Sequence, residues 1–271
     1  MKKFVTEDSF WQLFPGASLG VIVARGMKPA NEISPEDAQA IEQLLSRANA
    51  LAEKHLESST LSENAPVRAW RQAYQQFKTK RGARCSIENL LKRVLKGNPV
   101  GSISPSVDLY NAISLKYALP LGGEDLDAFE GDLRLRITEG GDAFTPLGEG
   151  AENDPTLPGE LAYVDDAGAV CRCWNWRDGV RTALTDNTGN AFLIVECVDP
   201  ERIEDCRAAT EELAQLVEQH LGATIAVAEL ITYDHREAII EPWKLDQADE
   251  GVRGASHDHD QVELFRTQFV L

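Results

Sequence analysis

Histidine is scarce in this chain, five residues in 271, and only His257 and His259 lie close together. That pair has no third ligand at a recognisable spacing and sits in a polar C-terminal stretch, so no metal and no other cofactor is expected. The five cysteines (Cys85, Cys171, Cys173, Cys197, Cys206) are an odd number without the spacing of a secreted disulfide framework, and Cys171 and Cys173 are too close and too isolated for a zinc quartet. The N-terminus has no apolar signal-like core, which together with the cysteine usage points to a reduced, cytoplasmic protein. No apolar run approaches the roughly 20 residues that a membrane helix needs, so no membrane partner is expected. A Gly-x-Ser-x-Gly elbow is missing, as is any other arrangement that would activate a nucleophilic side chain. Cations are also in deficit: 27 Lys and Arg against 44 Asp and Glu give a net charge of −17, which opposes condensation of the whole surface onto a nucleic acid.

What remains is a chain with 43% apolar residues and ample material for a core. Ser18 to Val23 reads as a strand. Ser34-Pro35-Glu36-Asp37 then predicts a helix start, with proline at the first helical position. Ile41, Leu44, Leu45, Ala48, Leu51 and Ala52 follow at the spacing of an amphipathic helix. Val67, Trp70, Tyr74 and Phe77 mark a second helix. Ser86 is expected to cap a third, with Ile87, Leu90, Leu91, Val94 and Leu95 inward. Pro105 starts a fourth that runs to about Ala118 and places Asp108 where the helix dipole favours a carboxylate. From Leu133 the texture is strand-like: Leu133 to Ile137, Leu161 to Val164, Val170 to Trp174, and Ala191 to Cys197. A hairpin turn is expected at Asp165-Asp166-Ala167-Gly168. Asp199-Pro200 caps a long helix to about Leu221, and Thr224 to Ile231 forms a closing strand. The Gly148 to Gly159 stretch reads as a loop rather than a linker. The pattern predicts a single α+β domain over residues 1–245, with N-terminal helices packed on a mixed β-sheet, a long helix near the C-terminus, and a polar tail over 246–271.

The cations are unevenly spread. Arg68, Arg71, Lys78, Lys80, Arg81, Arg84, Lys92, Arg93 and Lys96 fall in one stretch where Glu88 is the only acid. This is either a local basic face or a pair of solvated helices balanced by acidic neighbours.

Ser104-Pro105-Ser106-Val107-Asp108-Leu109-Tyr110-Asn111, then Leu119-Pro120-Leu121-Gly122-Gly123 and Asp127-Ala128-Phe129, and finally Leu193-Ile194-Val195-Glu196-Cys197 form the one informative constellation. It resembles the B3/B4 editing module of the phenylalanyl-tRNA synthetase beta subunit. In that family the corresponding runs are Asn-Pro-Val-Val-Asp-x-Thr-Asn-Tyr, Gly-Gln-Pro-Leu-His-Ala-Phe-Asp and a Leu-Leu-Glu strand that ends the pocket. The resemblance covers the central half of the chain. It implies ester hydrolysis of a misattached amino acid on tRNA, a reaction that requires a placed water, a polarised carbonyl and a pocket for the amino acid.

The same resemblance assigns candidate roles. Glu196 and Asn111 are the catalytic candidates. Glu196 ends an apolar strand where a buried carboxylate is costly, unless simple alternation turns it to the wet face. Asn111 can donate or accept in the pocket, or serve as a helix-surface amide. Gly122 stands where the family has histidine, with Gly123 and Glu124 inserted before the Asp-Ala-Phe echo, so rate and amino-acid preference are both in play. Gly122, Gly123, Asn175, Arg177 and Thr188 are the substrate-binding candidates. Cys171 to Gly179 replaces a glycine-rich turn of the family. Its tryptophans, Trp174 and Trp176, either stack on an adenosine or, by strand alternation with Arg172, seal the core; core is the favoured reading. Lys78, Lys80, Arg81 and Arg84 are the RNA-binding candidates.

Three functions stay open at this point. The first is a freestanding aminoacyl-tRNA deacylase acting in trans, whose partner is tRNA or aminoacyl-tRNA. The second is a non-catalytic module that binds tRNA or an amino acid, and the third a small-molecule hydrolase or binding protein that kept the pocket. The class II aminoacylation motifs are absent, so a complete synthetase is not expected.

Overall fold

The computed structural model describes residues 1–148 and 151–241; the expected polar tail and the His257/His259 pair lie outside the described residues. The strands are β1 (Lys2–Thr6), β2 (Ser18–Arg25), β3 (Leu121–Asp125), β4 (Leu133–Ile137), β5 (Leu161–Asp165), β6 (Gly168–Arg172), β7 (Arg177–Asp178), β8 (Asn190–Cys197), β9 (Thr224–Ile231) and β10 (Glu237–Glu241). The helices are α1 (Asp8–Leu13), α2 (Pro35–Ala52), α3 (Ala65–Ala73), α4 (Ser86–Leu95), α5 (Pro105–Tyr117) and α6 (Ile203–Leu221). The α+β class is as expected, but the strands divide between two sheets. One is mixed, in the order β10-β1-β4-β5-β6-β7, with β1 and β4 parallel; the other is antiparallel, in the order β3-β8-β2-β9.

Strand β8 explains the division, because both of its faces are covered. Leu193, Val195 and Cys197 point to one side, into a core shared with Cys206, Leu213 and Val217 of α6. Phe192 and Ile194 point to the other, into the core that holds Phe4, Leu133 and Tyr163 of the six-stranded sheet. Helix α6 lies close on β2: a Cβ placed on Gly20 would come within 1.7 Å of Thr210 Oγ1, so only glycine fits there.

Helix α2 begins as its sequence predicts, with Ser34 Oγ accepting from the Asp37 backbone N–H at 3.1 Å. The third expected helix is shifted by one residue. Cys85, not Ser86, is the cap; the Ser86 hydroxyl has no partner among the described residues, and the Ser86 backbone N–H donates to Asn175 O at 3.2 Å. The short helix α1 and the strands β1 and β10 are additions to the pattern expected from sequence. The β5–β6 turn is the expected hairpin: Asp165 pairs with Gly168, whose φ is +142° and whose missing Cβ would strike Ala143 O at 2.4 Å.

A second correction concerns the stretch after β6. Strand alternation does not continue to Arg177, because Cys173 and Trp174 adopt left-handed φ values of 47° and 65° and turn the chain back into β7. The Glu160 carboxylate fixes this turn by accepting from the Cys173 N–H at 2.9 Å, and Trp174 N donates to Leu161 O at 2.6 Å.

Candidate functional site: a cavity between the two sheets

The two sheets do not close fully on each other. Between them, and under α4 and the N-terminal half of α5, is a cavity of about 1100 Å³. Its wall includes Phe192, Ile194 and Glu196 of β8, Gly122 to Glu124 of β3, Tyr163 of β5, Cys171 of β6 and the turn Trp174 to Asp178. Helix α5 contributes Val107, Tyr110 and Asn111.

Glu196 is only 1% exposed. The wet-face alternative for it therefore fails: its side of β8 is covered by the six-stranded sheet. Tyr163 OH donates to Glu196 Oε1 at 2.5 Å, which bridges the sheets, and Asn175 Nδ2 donates to Oε2 at 2.6 Å. Asn175 is oriented in turn by Tyr74 OH, which donates to its Oδ1 at 2.8 Å. Burial pushes the Glu196 carboxyl up to about 7, against the donation from Tyr163 and Asn175, which favours the charged form. Near neutral pH both protonation states are populated.

Asn111 is also buried and on the cavity wall, and its amide has no hydrogen-bond partner among the described residues. Asp108, one turn earlier, is structural. It accepts from Ile103 N at 2.7 Å and Ser102 Oγ at 2.5 Å and so fixes the entry to α5.

Two further acids face the cavity that were not among the sequence candidates, Glu124 of β3 and Asp178 of β7. Burial and the neighbouring Asp178 hold the Glu124 carboxyl well above its ordinary value, and burial raises Asp178 as well. The signal that could have found Glu124 is alternation: it lies on the same face of β3 as Gly122, opposite Phe192 and Ile194 of β8. Tyr163 is hidden in sequence by the apolar strand around it.

The mouth is basic. Arg84, Lys92, Arg93, Lys96 and Arg177 all line it. The Arg177 guanidinium lies over the Trp176 ring, 5.0 Å from its centroid. Trp176 is thus a half-buried wall residue, whereas Trp174 is in the core as favoured, 4.7 Å from Trp70 and 4.8 Å from Phe14 between ring centroids.

The remaining candidates are dispersed. Gly122 and Gly123 line the cavity, and a Cβ on Gly122 would meet nothing nearer than Ile194 Cγ2 at 3.9 Å. Thr188 is outside the wall, with its hydroxyl donating to Asp125 Oδ2 at 2.9 Å and accepting from Thr185 N at 2.9 Å. Of the four RNA candidates only Arg84 lines the mouth. Lys80 is ion-paired with Asp154, Lys78 is tied through its backbone to Gly159 O at 2.9 Å, and Arg81 is exposed in a turn away from the cavity wall. Arg71 pairs with Glu88 at 2.6 Å. The basic stretch is therefore divided: Arg71 and Lys80 pair with acids, whereas Lys92, Arg93 and Lys96, on α4 and at its C-terminal end, face the cavity.

The model of the B3/4 domain family matches residues 69–221. The chain belongs to the B3/4 domain family. The match spans α3 to α6 and so includes the cavity residues named above. Among curated proteins it is similar to the phenylalanine–tRNA ligase beta subunit of Fusobacterium nucleatum subsp. nucleatum, 30% identical over 111 residues, which are 41% of this chain and 13% of that subunit. The chain thus corresponds to a small part of that relative. Among solved structures it is similar to an N-terminal fragment of the phenylalanyl-tRNA synthetase beta subunit from Pyrococcus horikoshii, with a TM-score of 0.42 and 10% identity, covering 82% of this chain and 49% of that one. Among the described residues, no helix is long and apolar enough to cross a membrane, and no group of three or more His, Cys, Asp or Glu could hold a metal ion.

Proposed function

We propose that the protein takes the aminoacylated 3′ end of a tRNA into this cavity and hydrolyses the ester in trans. The observation that carries the reading is the polarity of the cavity. A buried glutamate near its titration midpoint and an unpartnered amide are at the floor, while Lys92, Arg93 and Lys96, without acidic partners among the described residues, are at the mouth. An aminoacyl ester of a nucleotide has the matching polarity, an ammonium-bearing acyl group at one end and phosphates at the other.

In this reading ionised Glu196 accepts a proton from water as the water oxygen attacks the ester carbonyl, and the Asn111 amide donates to the developing oxyanion. The carbonyl–ribose bond then breaks, and the ribose oxygen leaves with the proton that Glu196 returns. Tyr163 and Asn175 are positioning residues that hold the carboxylate. Trp176 with Arg177 offers a stacking surface for the terminal base. Gly122, in place of the family's histidine, leaves volume beside the ester.

The test is deacylation of a panel of aminoacyl-tRNAs by the full chain and by its Glu196→Gln variant. Hydrolysis of one or a few species is expected, with a rate that rises with pH through about 7 as Glu196 ionises, and with a loss of about a hundredfold or more in the variant. Undiminished hydrolysis in the variant removes Glu196 from the mechanism. No hydrolysis of any species by the wild type overturns the reading in favour of a binding module.

A further inference from the structure

Glu124 and Asp178 have no part in the hydrolytic scheme, yet both carboxyls face the cavity without an ion pair among the described residues. Glu124 is 6% exposed, and its Oε2 has no hydrogen-bond partner among the described residues. It faces the half-buried Asp178 from the opposite sheet, so two carboxyls meet at the cavity wall, and neither has an ion pair among the described residues. Arg181 is the cation whose charge reaches Glu124, but its guanidinium is committed to Asp165, at 2.7 and 2.9 Å. Two buried acids elsewhere in the molecule have cations, Glu160 with Arg172 at 2.7 Å and Glu88 with Arg71 at 2.6 Å, whereas buried Asp108 is held by the Ser102 hydroxyl and the Ile103 N–H. A buried carboxylate is costly unless it is paired. At Glu124 and Asp178 no cation is paired among the described residues.

The register gives this pair its place relative to Glu196. Glu124 is opposite Phe192, four residues along β8 from Glu196 and on the same face. At about 3.3 Å per residue their Cα atoms are roughly 13 Å apart. A spacing of that order suits a short aliphatic chain with a cationic group at its far end, and Gly122, opposite Ile194 between the two acids, leaves room for it.

We infer that Glu124 and Asp178 form the counter-site for a cationic amino-acid side chain, so that the acyl groups this cavity prefers are lysine-like, with an ammonium on a short aliphatic chain. The inference rests on the aminoacyl-ester reading for the identity of the ligand, and it is tested without the reaction. A single α-ammonium satisfies one of the two acidic centres; a ligand with a second ammonium satisfies both.

Lysinamide and norleucinamide share the α-ammonium and the four-carbon chain and differ in the terminal ammonium. Calorimetric titration of the full chain with each is expected to show lysinamide binding at least tenfold tighter. The advantage should disappear in a Glu124→Gln/Asp178→Asn double variant. Equal affinities, tighter norleucinamide, no measurable binding of either, or an advantage that persists in the folded double variant would overturn the inference. If the variant does not fold, the wild-type comparison decides alone. The two readings fail separately: a lysinamide preference without hydrolysis of any aminoacyl-tRNA, lysyl-tRNA included, keeps the counter-site and removes the hydrolase, whereas hydrolysis of other species without that preference does the reverse.

Discussion

Glu160 and Glu196 are equally inaccessible, 0% and 1% exposed, and yet they are held in opposite ways. Arg172, itself fully buried, grips Glu160 bidentately at 2.9 and 2.7 Å, and the backbone N–H groups of Leu157 and Cys173 each donate to it at 2.9 Å. Burial opposes the charge of Glu160, but these donors overcome it and hold the carboxyl below its ordinary value. Glu196 has two neutral donors and no cation, and it is pushed up to about 7. Glu124, with its partnerless oxygen, is further along the same scale. At Glu160, which serves the fold, the protein neutralises the carboxylate. Where a carboxylate faces the cavity, the charge is left for water or a ligand to answer.

The largest effect that would sharpen this contrast is on stability. Glu160→Ala leaves the Arg172 guanidinium buried without its main partner and removes the acceptor that fixes the Cys173 turn. A loss of about 3–5 kcal/mol is expected by urea denaturation, with much of it recovered when Arg172 is also replaced by an apolar residue of similar volume. A loss below about 1 kcal/mol would mean that the pair does not hold the turn. A smaller effect is expected at the mouth. Lys92, Arg93 and Lys96 are exposed on α4 and at its C-terminal end without acidic partners among the described residues, unlike Lys80 with Asp154. Replacing all three by alanine should lower the slope of log K against log salt for tRNA binding by about 2, given a slope of about 0.7 per single-strand phosphate contact. An unchanged slope would put the phosphates elsewhere.

The elements were legible where local patterns decide them. Strands β4 and β9 begin and end where their apolar runs do, and α2 and α5 start at their Ser-Pro signals. What local pattern could not carry was the pairing of faces. Val170 to Trp174 reads as one strand, and its last two residues turn back into a hairpin held by distant Glu160, which reaches into it. Glu196 and Asn111 were recognisable from motif spacing, and both line the cavity together with Asn175 and Arg177. Thr188 was not separable from a turn residue by composition, and its hydroxyl serves that turn. Tyr163, Glu124 and Asp178 come from three different strands and two sheets, so their convergence depends on strand order, which no single segment encodes. The basic stretch is uniform in sequence, but helix geometry divides it, turning the α4 cations to the cavity while Lys80 and Arg71 meet acids.

The most direct test of the contrast between neutralised and poised carboxylates is a carbon-13 NMR titration of the glutamate side-chain carboxyls, with Glu196 and Glu160 assigned by their Gln variants. The expected result is a Glu196 midpoint at about 7 and a Glu160 midpoint below 4.5. A Glu196 midpoint at or below that ordinary value would contradict it, since a fully ionised, satisfied carboxylate would be another structural acid and not the poised base of a hydrolytic cavity.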